Sequence, residues 1–378
     1  MPTRRDVLGA GGLALASVAL GGCDSSVDDY ESVAAGIWRH ASAVPDTLSG
    51  LLAELVRYAT LAPSTYNSQC WQFRLARDAI TILPDPARQS PAVDPDGHLL
   101  HVSLGCAVEN LVQSGASIGL GSYVQMGAGI EDGITVRFEL APPSPSPISR
   151  AIPDRQTTRS LYDGKPVPAA ELTRLERYAR GPGVTPVLVT DGVQKSRILE
   201  LVTAASREWH ADPAKVTELR RWTRFDTATA LATRDGLAPG PLDRTSLPPA
   251  IGSALFSLLE SGERATDRLV RELRSAAGLV AFVAAINDRP HWVEVGRSMQ
   301  RFALQSTSLG IRHAWVNAVT EIPGFLPQLG MELGEPSGRP SVVLRFGYGP
   351  LRPRSLRLPA PSLSLPPAPA ESPFKVPI

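Results

Sequence analysis

A stretch running from Val102-Ser-Leu-Gly105 to Ser117-Ile-Gly119-Leu120 recurs 191 residues later, as Val293-Glu-Val-Gly296 to Ser308-Leu-Gly310-Ile311. Both copies have the spacing of a long amphipathic helix stopped by glycine. Each is followed by an apolar, strand-like run, Ser122 to Met126 in the first and Ala314 to Val319 in the second. A shorter echo pairs Leu55-Val-Arg57-Tyr58-Ala59 with Leu175-Glu-Arg177-Tyr178-Ala179. Long-range self-similarity of this kind reads as duplication, so the chain is expected to fold as two related units.

The boundaries follow from composition. Pro142-Pro-Ser-Pro-Ser-Pro147 can continue neither a helix nor a central strand. It divides a first half, 51–141, from a second, 151–358, with 142–150 as linker. The second half carries an insertion at about 200–273, rich in Arg, Trp and Pro, that reads as a lid or a packing arm. After Pro350 the chain becomes rich in Pro and Ser, and residues 359–378 are expected to lie extended along the surface.

The beginning of the chain reads as a targeting segment. Thr3-Arg4-Arg5-Asp6-Val7-Leu8 precedes an apolar run of Gly and Ala that ends in Leu20-Gly21-Gly22-Cys23. This is the layout of an export signal, with twin arginines pointing to the Tat machinery. Leu-Gly-Gly-Cys resembles a bacterial lipobox, in which Cys23 is lipidated and anchors the protein to a membrane. Residues 1–22 are then the signal, 23–50 a polar tether, and the location the outer face of the cytoplasmic membrane or the periplasm. A net charge of +1 offers no basic field for nucleic acid. With Cys23 committed to lipid, Cys70 and Cys106 are too few for a disulfide framework, and no metal-ligand spacing includes them. The six His are scattered, without a hydrolase or metalloprotease pattern.

Between a helix-like run at Leu51 to Ala59 and strand-like runs at Phe73 to Leu75 and Ile80 to Leu83 lies Ala62-Pro-Ser-Thr-Tyr-Asn-Ser-Gln-Cys-Trp-Gln-Phe73. The pattern Pro-Ser-x-x-Asn-x-Gln-x-Trp resembles the flavin-edge loop of nitroreductase-like FMN oxidoreductases. That family usually has Pro where Cys70 stands here, which leaves the backbone less rigid at that point. Taken alone, Pro63, Ser64 and Asn67 also suit a helix stop and an Asx turn above a core Trp71. In the second half, Arg155-Gln-Thr157-Thr-Arg159, followed by Tyr162-Asp-Gly-Lys-Pro166, resembles the family's phosphate signature. The guanidinium fork and a hydroxyl match a phosphate's oxygens.

Each half lacks what the other has. No Arg cluster precedes the Leu51 helix, and Arg177-Tyr178-Ala179 is followed by Arg180-Gly-Pro-Gly rather than by a Ser/Asn/Gln/Trp loop. This split resembles the Acg-type branch of the nitroreductases, long single chains that imitate the family's dimer. The resemblance implies an α+β fold of two fused nitroreductase-like repeats, an intramolecular pseudo-dimer, monomeric and holding one FMN.

Ring contacts carry over to Pro63, Ser64 and Asn67, with Gln69 and Trp71 supporting them. Phosphate contacts carry over to Arg155, Thr157 and Arg159, and to Arg352 and Arg354 after the strand-like run Ser341 to Gly347. Asn317 stands where the family presents an acidic residue near the reactive flavin N5, and it is equally a strand-end turn residue. The implied activity is transfer of hydride or electrons through flavin N5, from a small-molecule donor to a nitroaromatic- or quinone-like acceptor, with no protein nucleophile. Export removes the chain from cytoplasmic NAD(P)H. The alternative is therefore an exported protein that holds FMN with little or no turnover.

Overall fold

The structure, a computed structural model, describes residues 23–366 except 42, 44, 46, 130 and 131. The export signal expected at 1–22 lies outside the described residues, as do residues 367–378.

The chain opens with α1 (Cys23–Ile37) and α2 (Leu48–Thr60), then the hairpin of β1 (Trp71–Leu75) and β2 (Ala79–Pro84). Helix α3 (His98–Ser117) leads to a second hairpin, β3 (Leu120–Met126) and β4 (Ile134–Leu140). The proline-rich stretch is more than a linker: Pro147–Arg150 form the short helix α4, closed by a capping box between Ser146 and Ser149. The second half runs α5 (Ala169–Ala179), β5 (Val184–Val189), then α6 (Gly192–Ala211), α7 (Pro213–Trp222), α8 (Thr227–Thr233), α9 (Pro249–Leu259) and α10 (Gly262–Arg274). It ends with β6 (Gly278–Ala284), α11 (Arg289–Ser308), β7 (Arg312–Trp315), α12 (Ala318–Glu321), α13 (Leu326–Glu332), β8 (Arg339–Gly347) and β9 (Ser364–Leu365).

The first sheet has the order β3-β4-β2-β1-β9 and the second β5-β6-β8-β7. Without β9, the two orders are the same once each hairpin and long helix of one half is matched to its counterpart in the other. Pairing is antiparallel throughout, save for β9, which lies parallel to β1 with Phe73 opposite Ser364. The tail therefore does not simply follow the surface. Leu363 is buried, and residues 364–365 add an edge strand to the sheet of the first half. The insertion falls between two strands, β5 and β6, a stretch that holds the five helices α6 to α10.

The centre of the molecule is the crossing of α3 and α11, each 20 residues long. Their starts are capped by carboxylates: Asp94 accepts from the amides of Leu99 and Leu100 at 2.8 and 2.7 Å, and Asp288 from that of His291 at 3.0 Å. Just past their ends, Gly119 and Gly310 take φ of 88° and 73°, which a side chain would strain. One continuous apolar core runs through both halves, from Phe73 and Ile82 to Phe282 and Phe346.

Alternation along β6 shows how the second sheet is covered on both faces. Val280, Phe282 and Ala284 enter this shared core, while Leu279, Ala281 and Val283 enter another with Ile198 and Val202 of α6 and Leu329 of α13. Among the described residues the first sheet has no such second cover, and its strand residues Tyr123 and Leu140 are exposed.

Candidate functional site

The loop after α2 is held in a shape few residues adopt. Tyr66, Asn67 and Gln69 all have φ near the left-handed value, at 55°, 56° and 54°. Clustered strain of this kind costs about 1–3 kcal/mol per residue and is characteristic of sites. Ser64 accepts from the amide of Gln69 at 2.9 Å and fastens the turn. Gln69 is fully buried, donating to Arg234 O at 3.0 Å and accepting from the amide of Leu358 at 2.8 Å. Trp71 belongs to the shared core. These two residues support the loop from beneath.

Above the loop lies a cleft of about 950 Å³, its open mouth included. Pro63, Ser64 and Asn67 from the first half line it together with Arg155, Thr157, Arg159, Asn317 and Arg354 from the second. The two motifs also touch directly, since Arg155 donates to Leu61 O at 3.2 Å. Asn67 faces the cleft with its side chain already engaged: the amide nitrogen donates to Gly236 O and Leu356 O, each at 3.2 Å, and the oxygen accepts from Arg357 at 2.7 Å. Its side chain ties the loop to its neighbours, which leaves Pro63 and Ser64 as the freer part of that edge. Asn317 caps α12 through its carbonyl, and its side-chain oxygen accepts from the Val343 amide at 3.2 Å.

Arg352 does not line the cleft. Its guanidinium turns outward to Asp243 at 2.5 Å, while its backbone amide donates to Gln156 at 3.0 Å. Residues 352–357 run as a strap without regular secondary structure, and within it Arg354 and Arg357 reach the cleft while Arg352 does not. The strap instead contributes Arg357, which sequence reasoning misses. Buried at 4 % exposure, Arg357 donates to Thr60 O at 2.8 Å and Ala62 O at 3.2 Å as well as to Asn67.

Three further wall residues were not foreseen. Trp38 follows α1, so the segment read as a tether reaches the site. Tyr66 belongs to the loop itself. Glu321 stands four residues beyond Asn317, one turn along α12.

The cleft is strongly cationic. Among the described residues, Arg155, Arg159 and Arg357 have no carboxylate within ion-pair distance. Arg155 Nε is buried without a hydrogen-bond partner. Burial pulls Arg357 down to about 9, with Arg155 beside it adding to the effect, and pulls Arg155 and Arg159 down to about 10. Uncompensated guanidiniums in a half-dry cleft call for an anion, and a phosphate of about −2 charge would offset most of theirs. At the opposite end, burial raises Glu321 to about 7, with Asp94 and Glu218 adding repulsion, although Trp209 donates its indole N–H at 2.7 Å.

Among known proteins, the chain is 25 % identical over 310 residues to the protein named "Putative NAD(P)H nitroreductase" in Mycobacterium tuberculosis H37Rv. The alignment covers 79 % of this chain and 86 % of that one, and the counterpart in strain CDC 1551 matches to the same extent. This is distant homology. No family model matches the chain. Similar solved structures include a Bacteroides fragilis nitroreductase with bound FMN, at 15 % identity and TM-score 0.34 over 54 % of this chain and 88 % of that one. The FMN-dependent nitroreductase NfnB of Mycobacterium smegmatis, in complex with NADPH, gives 16 % and 0.35 over 54 % and 87 %.

Proposed function

We propose that the chain is an FMN-dependent oxidoreductase of nitroreductase type, built as a pseudo-dimer that keeps one composite site. The observation that carries this reading is the single cleft lined by Pro63 and Ser64 of one half and by Arg155, Thr157 and Arg159 of the other. Distant homology to nitroreductases supports the reaction class, and the matching strand orders of the two sheets support the pseudo-dimer.

In this reading Arg155, Arg159, Arg354 and Arg357 take the phosphate, with Thr157 offering a hydroxyl. Ser64 and Pro63 border the ring, and Trp315, Tyr66, Leu237 and Pro241 supply flat and apolar walls that limit water around it. FMN, when bound, supplies two-electron transfer at its N5. Glu321 is the carboxyl that faces the same cleft, and it is able to hold or release a proton near neutral pH. The acceptor is a nitroaromatic- or quinone-like molecule and the donor a small molecule, NAD(P)H being the first to test.

A second reading is an FMN-holding protein with little turnover. It is favoured by residues 234–241 of the insertion, which pack on the loop through Asn67 and Gln69 and place Leu237 and Pro241 in the cleft wall.

Anaerobic titration of the purified protein decides between them. The enzyme predicts flavin bleached by NADH or NADPH and recovered by a quinone, whereas persistent colour marks the holding protein. Colourless protein that FMN fails to stabilise sinks both readings.

A further inference from the structure

Three guanidinium carbons lie over one ring, that of Trp38: Arg357 at 4.8 Å, Arg354 at 5.2 Å and Arg155 at 5.7 Å. Like charges gathered this closely repel, and among the described residues only Arg354 of the three has a carboxylate at hand, the exposed Asp154 at 3.7 Å. The face of an indole is the most favourable neutral surface for such a cluster. Trp38 is itself pinned, donating its N–H to Ser355 O at 2.8 Å, while Tyr30 in α1 donates to Arg354 O at 2.9 Å. The start of the described chain thus grips the strap that carries two of the arginines.

That grip is narrow. Between residues 27 and 38 the buried side chains are Tyr30, Ala34 and Trp38, one per turn, with exposed or half-buried residues between them. A helix of 15 residues is marginal by itself in water, so α1 depends on its docked side, where Val33 and Ile37 pack beside these three. An anion drawn in among the arginines removes the repulsion that opposes their stacking on Trp38. By reciprocity, whatever Trp38 adds to anion binding, the anion adds to the docking of α1.

We infer that Trp38 is a positioning residue for the anionic end of the ligand, and that docking of the α1 segment and filling of the cleft reinforce each other. This rests on the reading of the cleft as a flavin phosphate site. Its consequence is that occupancy is reported at a distance, in the segment 23–40, by how firmly that segment is held.

Arg39, exposed and next to Trp38, supplies the probe. The full chain is digested briefly with trypsin, alone and with FMN, riboflavin or excess inorganic phosphate, and cleavage after Arg39 is followed by intact mass. Flavin affinities are measured in parallel by fluorescence quenching, for the wild type, Trp38→Leu and Trp38→Phe.

FMN and phosphate should slow the cleavage several-fold and riboflavin should not. Trp38→Leu should lose that protection and bind FMN roughly tenfold more weakly with riboflavin affinity unchanged, and Trp38→Phe should restore part of both. Equal protection by FMN and riboflavin, or an equal loss of both affinities in Trp38→Leu, overturns the inference by giving Trp38 a merely structural role. If neither flavin binds, the cofactor reading fails separately. Protection by phosphate in the wild type but not in Trp38→Leu still upholds the coupling, and cleavage indifferent to phosphate then overturns it.

Discussion

Gly105 and Gly296 occupy equivalent places in two helices and face each other where those helices cross. A Cβ on Gly105 would stand 2.1 Å from Val293 O, and one on Gly296 2.0 Å from Val102 O. The contact is reciprocal, residue for residue, as at an interface between identical subunits. Either Gly→Ala substitution should force α3 and α11 apart and cost about 3 kcal/mol, read as a fall in the urea midpoint. Since both changes act on one crossing, the double variant should lose less than the sum of the two. Additive losses would show that the helices adjust independently.

The arginines of the cleft should separate into two kinds. Arg159 makes no side-chain hydrogen bond among the described residues, whereas Arg357 holds Thr60 O, Ala62 O and Asn67. Arg159→Gln should therefore leave the melting temperature unchanged while weakening FMN roughly tenfold or more and sparing riboflavin. Arg357→Gln should lower the melting temperature as well, because the carbonyls at the end of α2 and the Asn67 amide oxygen lose their donor. Calorimetry beside flavin titration checks both.

Glu321 and His313 tie stability to pH in opposite directions. Glu321 is raised from 4.5 to about 7, so the folded state binds more protons than the unfolded one, and stability falls as pH rises across that interval. His313 is lowered from 6.5 to about 3 by burial and by Arg155 and Arg312, so the folded state binds fewer protons and stability falls as pH drops below 6.5. Glu321→Gln should flatten the alkaline side of the unfolding profile and leave the acid side intact. An unchanged alkaline limb would contradict the burial argument.

Cys70 and Cys106 are both free and buried, and burial pushes the Cys70 thiol up to about 12 and Cys106 higher still. Neither should react with a thiol reagent at pH 8 in the folded protein, and both should react once it is denatured. Rapid labelling of either in the native state would mean that the core opens locally.

Much of the site is legible in the sequence where recognition is short-range. Arg155, Thr157 and Arg159 sit within five residues, and the Pro63 to Trp71 loop is punctuated by residues whose backbone demands a turn. Arg352 is misassigned because the strap has no regular secondary structure, so no local periodicity says which of Arg352, Arg354 and Arg357 faces inward. Trp38 is missed for a different reason. Its partners Arg155 and Ser355 lie far along the chain, and a polar segment with one buried residue per turn carries too weak a pattern to distinguish a docked helix from a tether. The insertion shows the same limit, because its length is visible while its place between β5 and β6 depends on which strands pair.

The edge strand β9 has a consequence for biosynthesis. The sheet begun at Trp71 receives its last strand from Ser364 and Leu365, which leave the ribosome after every other strand of the described residues. Until then β1 presents an unpaired border, a place where nascent chains adhere to one another. The sheet of the earlier half is therefore completed only after that of the later half, and truncation just before Leu363 should yield aggregates rather than a shortened, soluble protein.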